Sequence, residues 1–174
     1  MYTEEQLKRH IKTHTERSAD DTNAVTTLEF FLRSDAKINC TFSKNDKWPN
    51  IDGTFELVPN PEETRRPKQN FIVQIKGTTT VRVTPNGTVK YQLKSLAFPA
   101  YIALEVSLDP GILFVVVNPK QRDEERVFWK YLSASFLSSI NFEQDSVTIE
   151  FTSDDEIKNT DISIECFIAF ASFL

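Results

Sequence analysis

The spacing of hydrophobic residues changes along the chain and separates a helical start from a run of strands. Apolar residues three or four positions apart predict one helix over residues 3–17 and a second over residues 21–33. From residue 38 onward apolar and polar residues alternate instead, which predicts strands at 38–42 and 51–58. The chain is therefore expected to begin with two helices and to continue into a sheet.

The rest of the chain is also divided by its apolar pattern. Asn86 and Gly87 stand between two alternating segments, and this pair favours a tight hairpin because both residues tolerate positive φ. Residues 93–107 are apolar without clean alternation and contain Pro99, so an irregular or helical segment is expected there. Further strands are predicted at 71–78, 111–119 and 146–151, and a further helix at 127–140. Strands and helices in this order indicate a mixed α/β fold.

Length and composition narrow the class of protein. The chain has 174 residues, of which 40% are hydrophobic and 26% charged, as expected of one globular domain over residues 1–174. Cys40 and Cys166 are the only cysteines, which favours a reduced, cytoplasmic setting. The N-terminus is charged from its third residue, and the purest apolar run, 112–117, is too short to span a bilayer. Neither a signal peptide nor a membrane protein is expected.

The last residues of the chain are apolar and lack a polar close. Phe167, Ile168, Phe170 and Phe173 all fall in this segment. Two explanations stay open: the segment leads into a missing downstream region, or it is a last helix docked on the core. An exposed apolar patch is expected in the first case and burial of all four residues in the second.

The net negative charge of the chain makes a protein that coats nucleic acid passively an unfavoured interpretation. The formal net charge is −5, which creates no general attraction to phosphate. Basic residues nevertheless cluster at 65–68 and between Lys120 and Lys130. An enzyme with a local basic rim is therefore still compatible with the sequence, although short basic runs are commonly just solvated surface.

Three polar residues interrupt strands that otherwise alternate or are wholly apolar. Asp52 opens the strand at 51–58, while Gln74 and Lys76 share one face of the strand at 71–78. If the two strands pair antiparallel, the start of the first lies beside the end of the second. Carboxylate and amide oxygens suit Mg²⁺, and a neighbouring lysine can orient or deprotonate an attacking water. The pattern predicts metal-dependent hydrolysis of a phosphodiester.

Asp-x21-Gln-x-Lys on consecutive strands, behind an N-terminal helix, resembles the PD-(D/E)XK superfamily of restriction-endonuclease-like nucleases. The segments PNIDGTFEL and FIVQIKGT are similar to small bacterial domains of the branch that replaces the second acid by glutamine, as Mrr-type nuclease domains do. The resemblance covers about residues 10–130. It implies an α-β-β-β-α-β core with a mixed central sheet flanked by helices, and leaves residues 140–174 as a C-terminal extension.

The resemblance also implies roles for particular residues. Asp52 and Gln74 would hold Mg²⁺ or Mn²⁺, and Lys76 would act on the attacking water. Many members add a glutamate from the first helix, for which Glu16 is the choice and Glu29 the rival. Glutamine in place of the usual acid should lower metal affinity. The implied substrate is DNA, and the implied partners are a fused or separate NTPase or regulatory protein of a bacterial defence system and a second copy in a homodimer.

A second function stays open beside the nuclease. The acidic chain and Gln74 favour a degenerate nuclease-like domain that binds DNA or a protein partner, whereas intact Asp52 and Lys76 favour an active enzyme. His10 and His14 have the spacing of a metal pair on a helix, but no acid lies between them as in a zinc protease. No GxSxG elbow, P-loop or GxGxxG turn is present, so serine hydrolysis and nucleotide cradling are unsupported.

Overall fold

The computed structural model describes residues 2–11, 18–33, 37–43, 51–58, 69–104, 109–121, 123–158 and 161–171. It is a mixed α/β fold. The helices are α1 (Glu4–Lys8), α2 (Ala19–Leu32), α3 (Ala97–Ala103), α4 (Ala134–Ser139) and α5 (Asp161–Ala171). The strands are β1 (Ile38–Phe42), β2 (Gly53–Leu57), β3 (Gln69–Thr78), β4 (Arg82–Val83), β5 (Val89–Leu93), β6 (Gly111–Val117), β7 (Arg126–Tyr131), β8 (Val147–Phe151) and β9 (Glu156–Ile157).

The strands form a central mixed sheet and a smaller second sheet. The central sheet has six strands in the order β1-β2-β3-β6-β7-β9. Only β3 and β6 run parallel, and every other neighbouring pair is antiparallel. The connection between β3 and β6 contains the β4–β5 hairpin and α3. Strands β4, β5 and β8 make the second, antiparallel sheet.

Strand alternation sends side chains of the central sheet into two separate cores. Every residue of β6 is buried, as expected of a strand covered on both faces. Phe114 and Val116 pack with α2 and α5 on one face, whereas Leu113 and Val115 pack on the other with α1, α3, α4 and the second sheet. The sheet is therefore the middle layer of the molecule.

Helix α2 is held against the end of β3. The Ser18 side chain accepts a hydrogen bond from the Asp21 amide and so caps the helix start, where acidic residues are also favoured by the helix dipole. A Cβ atom at Gly77 would lie 2.1 Å from the Asp20 carbonyl oxygen. Glycine at position 77 is what lets the start of α2 approach this strand so closely.

Several predicted elements are observed with different bounds. The N-terminal helix extends only over Glu4–Lys8 within the described residues, and residues 12–17 lie outside them. The predicted helix at 127–140 is wrong in its first half, because Val127 pairs with Val116 and residues up to Tyr131 form β7. A helix begins only after Ser133, whose side chain accepts a hydrogen bond from the Phe136 amide.

The apolar tail forms helix α5, and its described residues divide between core and surface. Phe167 and Ile168 are buried against the central sheet, whereas Phe170 is 46% exposed and contacts Trp129. Phe173 lies outside the described residues. Among the described residues, no helix is both long enough and apolar enough to cross a lipid bilayer.

Candidate functional site

Strand β2 begins with a distortion that separates Asp52 from the regular ladder. Gly53 is the pairing partner of Val73 on β3. The amide of Asp52 also bonds to this residue, because it donates to the Val73 carbonyl at 2.8 Å. Gly53 has a φ of +153°, and a Cβ atom there would lie 2.2 Å from the Thr41 carbonyl oxygen. Only glycine fits this position. Its backbone conformation turns Asp52, the residue before it, out of the regular pairing at the end of β2.

The Asp52 side chain completes the hydrogen bonding of β3 where the backbone of β2 no longer does so. Alternate amides of a strand point to the same neighbour, and the Ile72 amide points toward β6 because it donates to the Pro110 carbonyl. The Ile75 amide therefore points toward β2, and Asp52 Oδ2 accepts its hydrogen at 2.6 Å. Asp52 is only 7% exposed. Its carboxylate is thus fixed at the Ile75 amide, at the point along β3 that lies between Gln74 and Lys76.

A second carboxylate lies further along the same edge of β3. Asp21 Oδ1 accepts from the Gly77 amide at 2.8 Å, and Asp21 Oδ2 lies 3.8 Å from Lys76 Nζ. Two residues of a strand span about 7 Å, so the two acids lie roughly that far apart along β3. From the sequence, Asp21 was predicted only as the first residue of the second helix, and its place in this site was missed.

Gln74 and Lys76 lie on the face of the central sheet that turns toward the second sheet. They pair with Leu113 and Val115, which belong to the core on that side. Gln74 is 7% exposed, and the Lys76 side chain is 26% exposed. The side-chain amide of Gln74 is therefore buried in the protein, whereas the Lys76 side chain is partly exposed to solvent beside Asp21.

Tyr91 of β5 brings a hydroxyl from the second sheet toward the same region. Its neighbours in alternation, Val89 and Leu93, are buried in the core between the two sheets, so Tyr91 also points inward. Burial raises the pKa of Tyr91 to about 12, and the negative charge of Asp21 adds to the rise. At neutral pH this phenol is a protonated hydrogen-bond donor.

The two candidates for the helix glutamate differ in what the structure describes. Glu16 lies outside the described residues. Glu29 forms an ion pair with Arg33, and its charge helps burial to raise the pKa of Cys40 to about 12. Eight residues of helix separate Glu29 from Asp21, which is about 12 Å at 1.5 Å per residue. Glu29 therefore lies by β1, away from the end of β3.

The remaining polar candidates have structural partners or lie outside the described ranges. His10 is buried, and its Nε2 donates to the Phe142 carbonyl at 2.8 Å, while residues 12–17, with His14, are not described. The basic run at 65–68 is likewise outside. Within the second basic cluster, Lys120 pairs with Asp20 at 2.9 Å and Lys130 lies 3.5 Å from Asp155.

The donor set at the end of β3 fits a hard cation that needs few protein ligands. No cluster of three or more His, Cys, Asp or Glu residues suited to a metal occurs in the part of the chain that the structure describes. Asp52 supplies a carboxylate and Gln74 an amide oxygen, while the Asp21 carboxylate, roughly 7 Å further along β3, would reach the same ion through a bound water. Mg²⁺ is commonly held by one or two carboxylates together with substrate phosphates and water. These residues are compatible with such an ion.

Comparison of the chain with protein-family models, with curated proteins and with solved structures found no match. The class that the fold defines is therefore the coarse one, a mixed α/β protein with a mixed central sheet and five helices among its described residues.

Proposed function

We propose that this protein is a metal-dependent nuclease that hydrolyses phosphodiester bonds of DNA on a restriction-endonuclease-like core. The observation that carries the proposal is the Asp52 carboxylate, which is bonded to the Ile75 amide between Gln74 and Lys76. The element order α2-β1-β2-β3-α3-β6, with β3 parallel to β6, supports the proposed core. The β4–β5 hairpin is then an insertion before α3.

Asp52, Gln74 and Asp21 are the residues that would hold Mg²⁺ or Mn²⁺. When bound, such an ion supplies neutralisation of phosphate charge and a water of lowered pKa. Asp21 takes the role that was expected of Glu16 or Glu29, because it projects from the start of α2 onto the edge of β3. The amide of Gln74 carries no charge. The substrate phosphate would therefore supply negative charge that a third acid supplies in a three-acid site.

Lys76 is the residue proposed to act on the attacking water and on the transition state. Its ammonium lies 3.8 Å from Asp21 Oδ2, which holds the flexible side chain toward the acidic edge of β3. A positive charge positioned there offsets the charge that develops on the phosphoryl oxygens. The Asp21 carboxylate is thus both a proposed ligand and the group that orients Lys76.

Nicking of supercoiled plasmid tests the proposal. The purified protein should nick DNA with Mg²⁺ or Mn²⁺, and EDTA should abolish the reaction. Asp52→Asn keeps an oxygen that can accept from the Ile75 amide but removes the anionic ligand, so nicking should fall at least 100-fold while the fold persists. Asp145→Asn, at an exposed aspartate in the loop before β8, is the matched control and should leave nicking unchanged. Nicking that survives Asp52→Asn would exclude this site.

A second function is supported by one observation of its own. Gln74 replaces the commoner acid, and the chain carries a net charge of −5. Both weaken metal affinity or phosphate attraction, and they favour a degenerate domain that binds DNA or a protein without cutting. Binding of DNA that is independent of metal and is never followed by nicking would select this alternative.

A further inference from the structure

A groove of about 520 Å³ opens beside Asp52 at the β1–β2–β3 side of the central sheet. Its volume falls within the range of about 300–1,000 Å³ that is usual for ligand pockets. It is lined by three residues that carry hydroxyl groups, Thr41, Ser43 and Thr54, and by three apolar residues, Phe42, Ile51 and Ile72. The residues that line the groove are not among the proposed metal ligands, so the groove is free to bind another part of a substrate.

The groove is continuous with the proposed catalytic site. Ile51 and Gly53, the two neighbours of Asp52 in sequence, both line it, and the Ser43 amide donates to the Asp52 carbonyl at 2.8 Å. Along β3, Ile72 lies on the same face as Gln74, two residues before it. A molecule with its phosphate at Asp52 would therefore place its adjoining part in this groove.

The lining defines the chemistry of that adjoining part. Among the described residues that line the groove, none carries a charge. This described lining therefore offers a phosphate no cation, which an anion needs where water is excluded. Apolar walls with a few hydroxyls instead suit a flat, neutral group that has hydrogen-bonding atoms on its edge. Next to a phosphodiester, the group with these properties is a nucleobase.

We infer that this groove holds an unpaired base of the nucleotide next to the scissile phosphate, so that the substrate is single-stranded or locally unpaired DNA. The inference rests on the proposed nuclease function and adds the substrate class. Bases of a duplex are stacked and paired, so a base enters a protein groove only from a single strand or after leaving the stack. Contacts between side chains and the faces of bases tolerate different sequences, so little sequence preference is expected.

Equilibrium binding in EDTA separates the base from the phosphates, because cleavage is then suppressed. Fluorescence anisotropy would compare labelled dodecathymidylate, a 12-residue abasic strand with the same phosphates, and a 12-base-pair duplex. The thymidylate should bind at least 10-fold more tightly than either of the others. Equal affinity for the thymidylate and the abasic strand, tighter binding of the duplex, or no binding of the thymidylate would each overturn the inference.

A groove-filling substitution tests the location. Thr54→Phe places a ring in the groove at a strand position where aromatic residues are favoured, and it should weaken thymidylate binding at least 10-fold without changing the abasic strand. Thr148→Phe, at an exposed position of β8, is the matched control. Thr41→Phe, at an exposed position of β1 that also lines the groove, repeats the test if Thr54→Phe fails to fold. Unchanged binding by a folded groove variant would exclude the groove.

The two proposals fail in different ways. Metal-dependent nicking by a protein that shows no dependence on bases would overturn the groove inference and leave the nuclease intact. Base-dependent binding that Thr54→Phe removes, without any metal-dependent cleavage, would overturn the nuclease and leave the groove as the site of a binding protein.

Discussion

Replacing Gly77 by alanine would push the start of helix α2 away from β3. The new Cβ atom would lie 2.1 Å from the Asp20 carbonyl oxygen, 2.3 Å from its carbonyl carbon and 2.9 Å from the Asp21 amide nitrogen. Ordinary contact begins at 3.4 Å, so the backbone of α2 must retreat by about 1 Å or more. These neighbours are backbone atoms, which cannot rotate out of the way as the end of a flexible side chain can.

The magnitude of the effect follows from two losses. Overpacking of this kind costs about 1–3 kcal/mol. The retreat also lengthens the hydrogen bond from the Gly77 amide to Asp21 Oδ1, now 2.8 Å, and bonds to charged groups contribute about 1.5–3 kcal/mol. We expect Gly77→Ala to lower the free energy of unfolding by about 3–5 kcal/mol. The same movement withdraws Asp21 from Lys76.

Urea denaturation measures this change directly. Gly87→Ala is the control, because Gly87 has a φ of +82° and a Cβ atom there would have nothing within 4 Å. Only backbone strain of about 1 kcal/mol is expected there. A Gly77→Ala variant as stable as Gly87→Ala would show that α2 does not approach β3 in this way. Asp21 would then no longer be assigned to the site.

Further predictions concern the site and its surroundings. Gln74→Glu should tighten Mn²⁺ binding in calorimetry, because it adds an anionic ligand; unchanged affinity would remove Gln74 from the ligand set. Asp52→Ala should cost about 1–3 kcal/mol in urea unfolding, because the buried Ile75 amide loses its acceptor, and Asp52→Asn should cost less. Tyr91 keeps its proton in the folded protein up to a pKa of about 12 but releases it near 10 when unfolded. Stability should therefore fall as the pH rises through this window, and Tyr91→Phe should remove about 1 kcal/mol of the loss between pH 9 and 11; an unchanged loss would contradict the burial of Tyr91.

The polar residues on β2 and β3 could be found from sequence because a strand has a period of two. Asp52, Gln74 and Lys76 stand out against alternation or an apolar run, and the antiparallel pairing of β2 with β3 was expected from their succession. Asp21 could not be found in this way. Its acidic side chain is ordinary at a helix start, and its bond to Gly77 joins residues that are 56 positions apart.

Strand β7 and the second sheet show the same limit. The segment from Arg126 to Tyr131 is followed by a helix without a glycine or proline between them, so its local pattern favoured one continuous helix. Its pairing with β6 decides the outcome, because Val127 and Phe128 then face the two cores. The partner of β5 is β8, which begins more than 50 residues later. Pairing between strands so far apart in sequence cannot be predicted from the local pattern of apolar and polar residues.

The proposed nuclease chemistry is tested by plasmid nicking with Lys76→Met, measured together with Mn²⁺ affinity. Lys76 is proposed to act on the attacking water and not to bind the metal, and methionine keeps an unbranched stem of similar length without the charge. Nicking should fall at least 100-fold, while Mn²⁺ affinity should stay within about 3-fold of that of the original protein. Nicking that persists at the original rate would show that Lys76 does not act in catalysis.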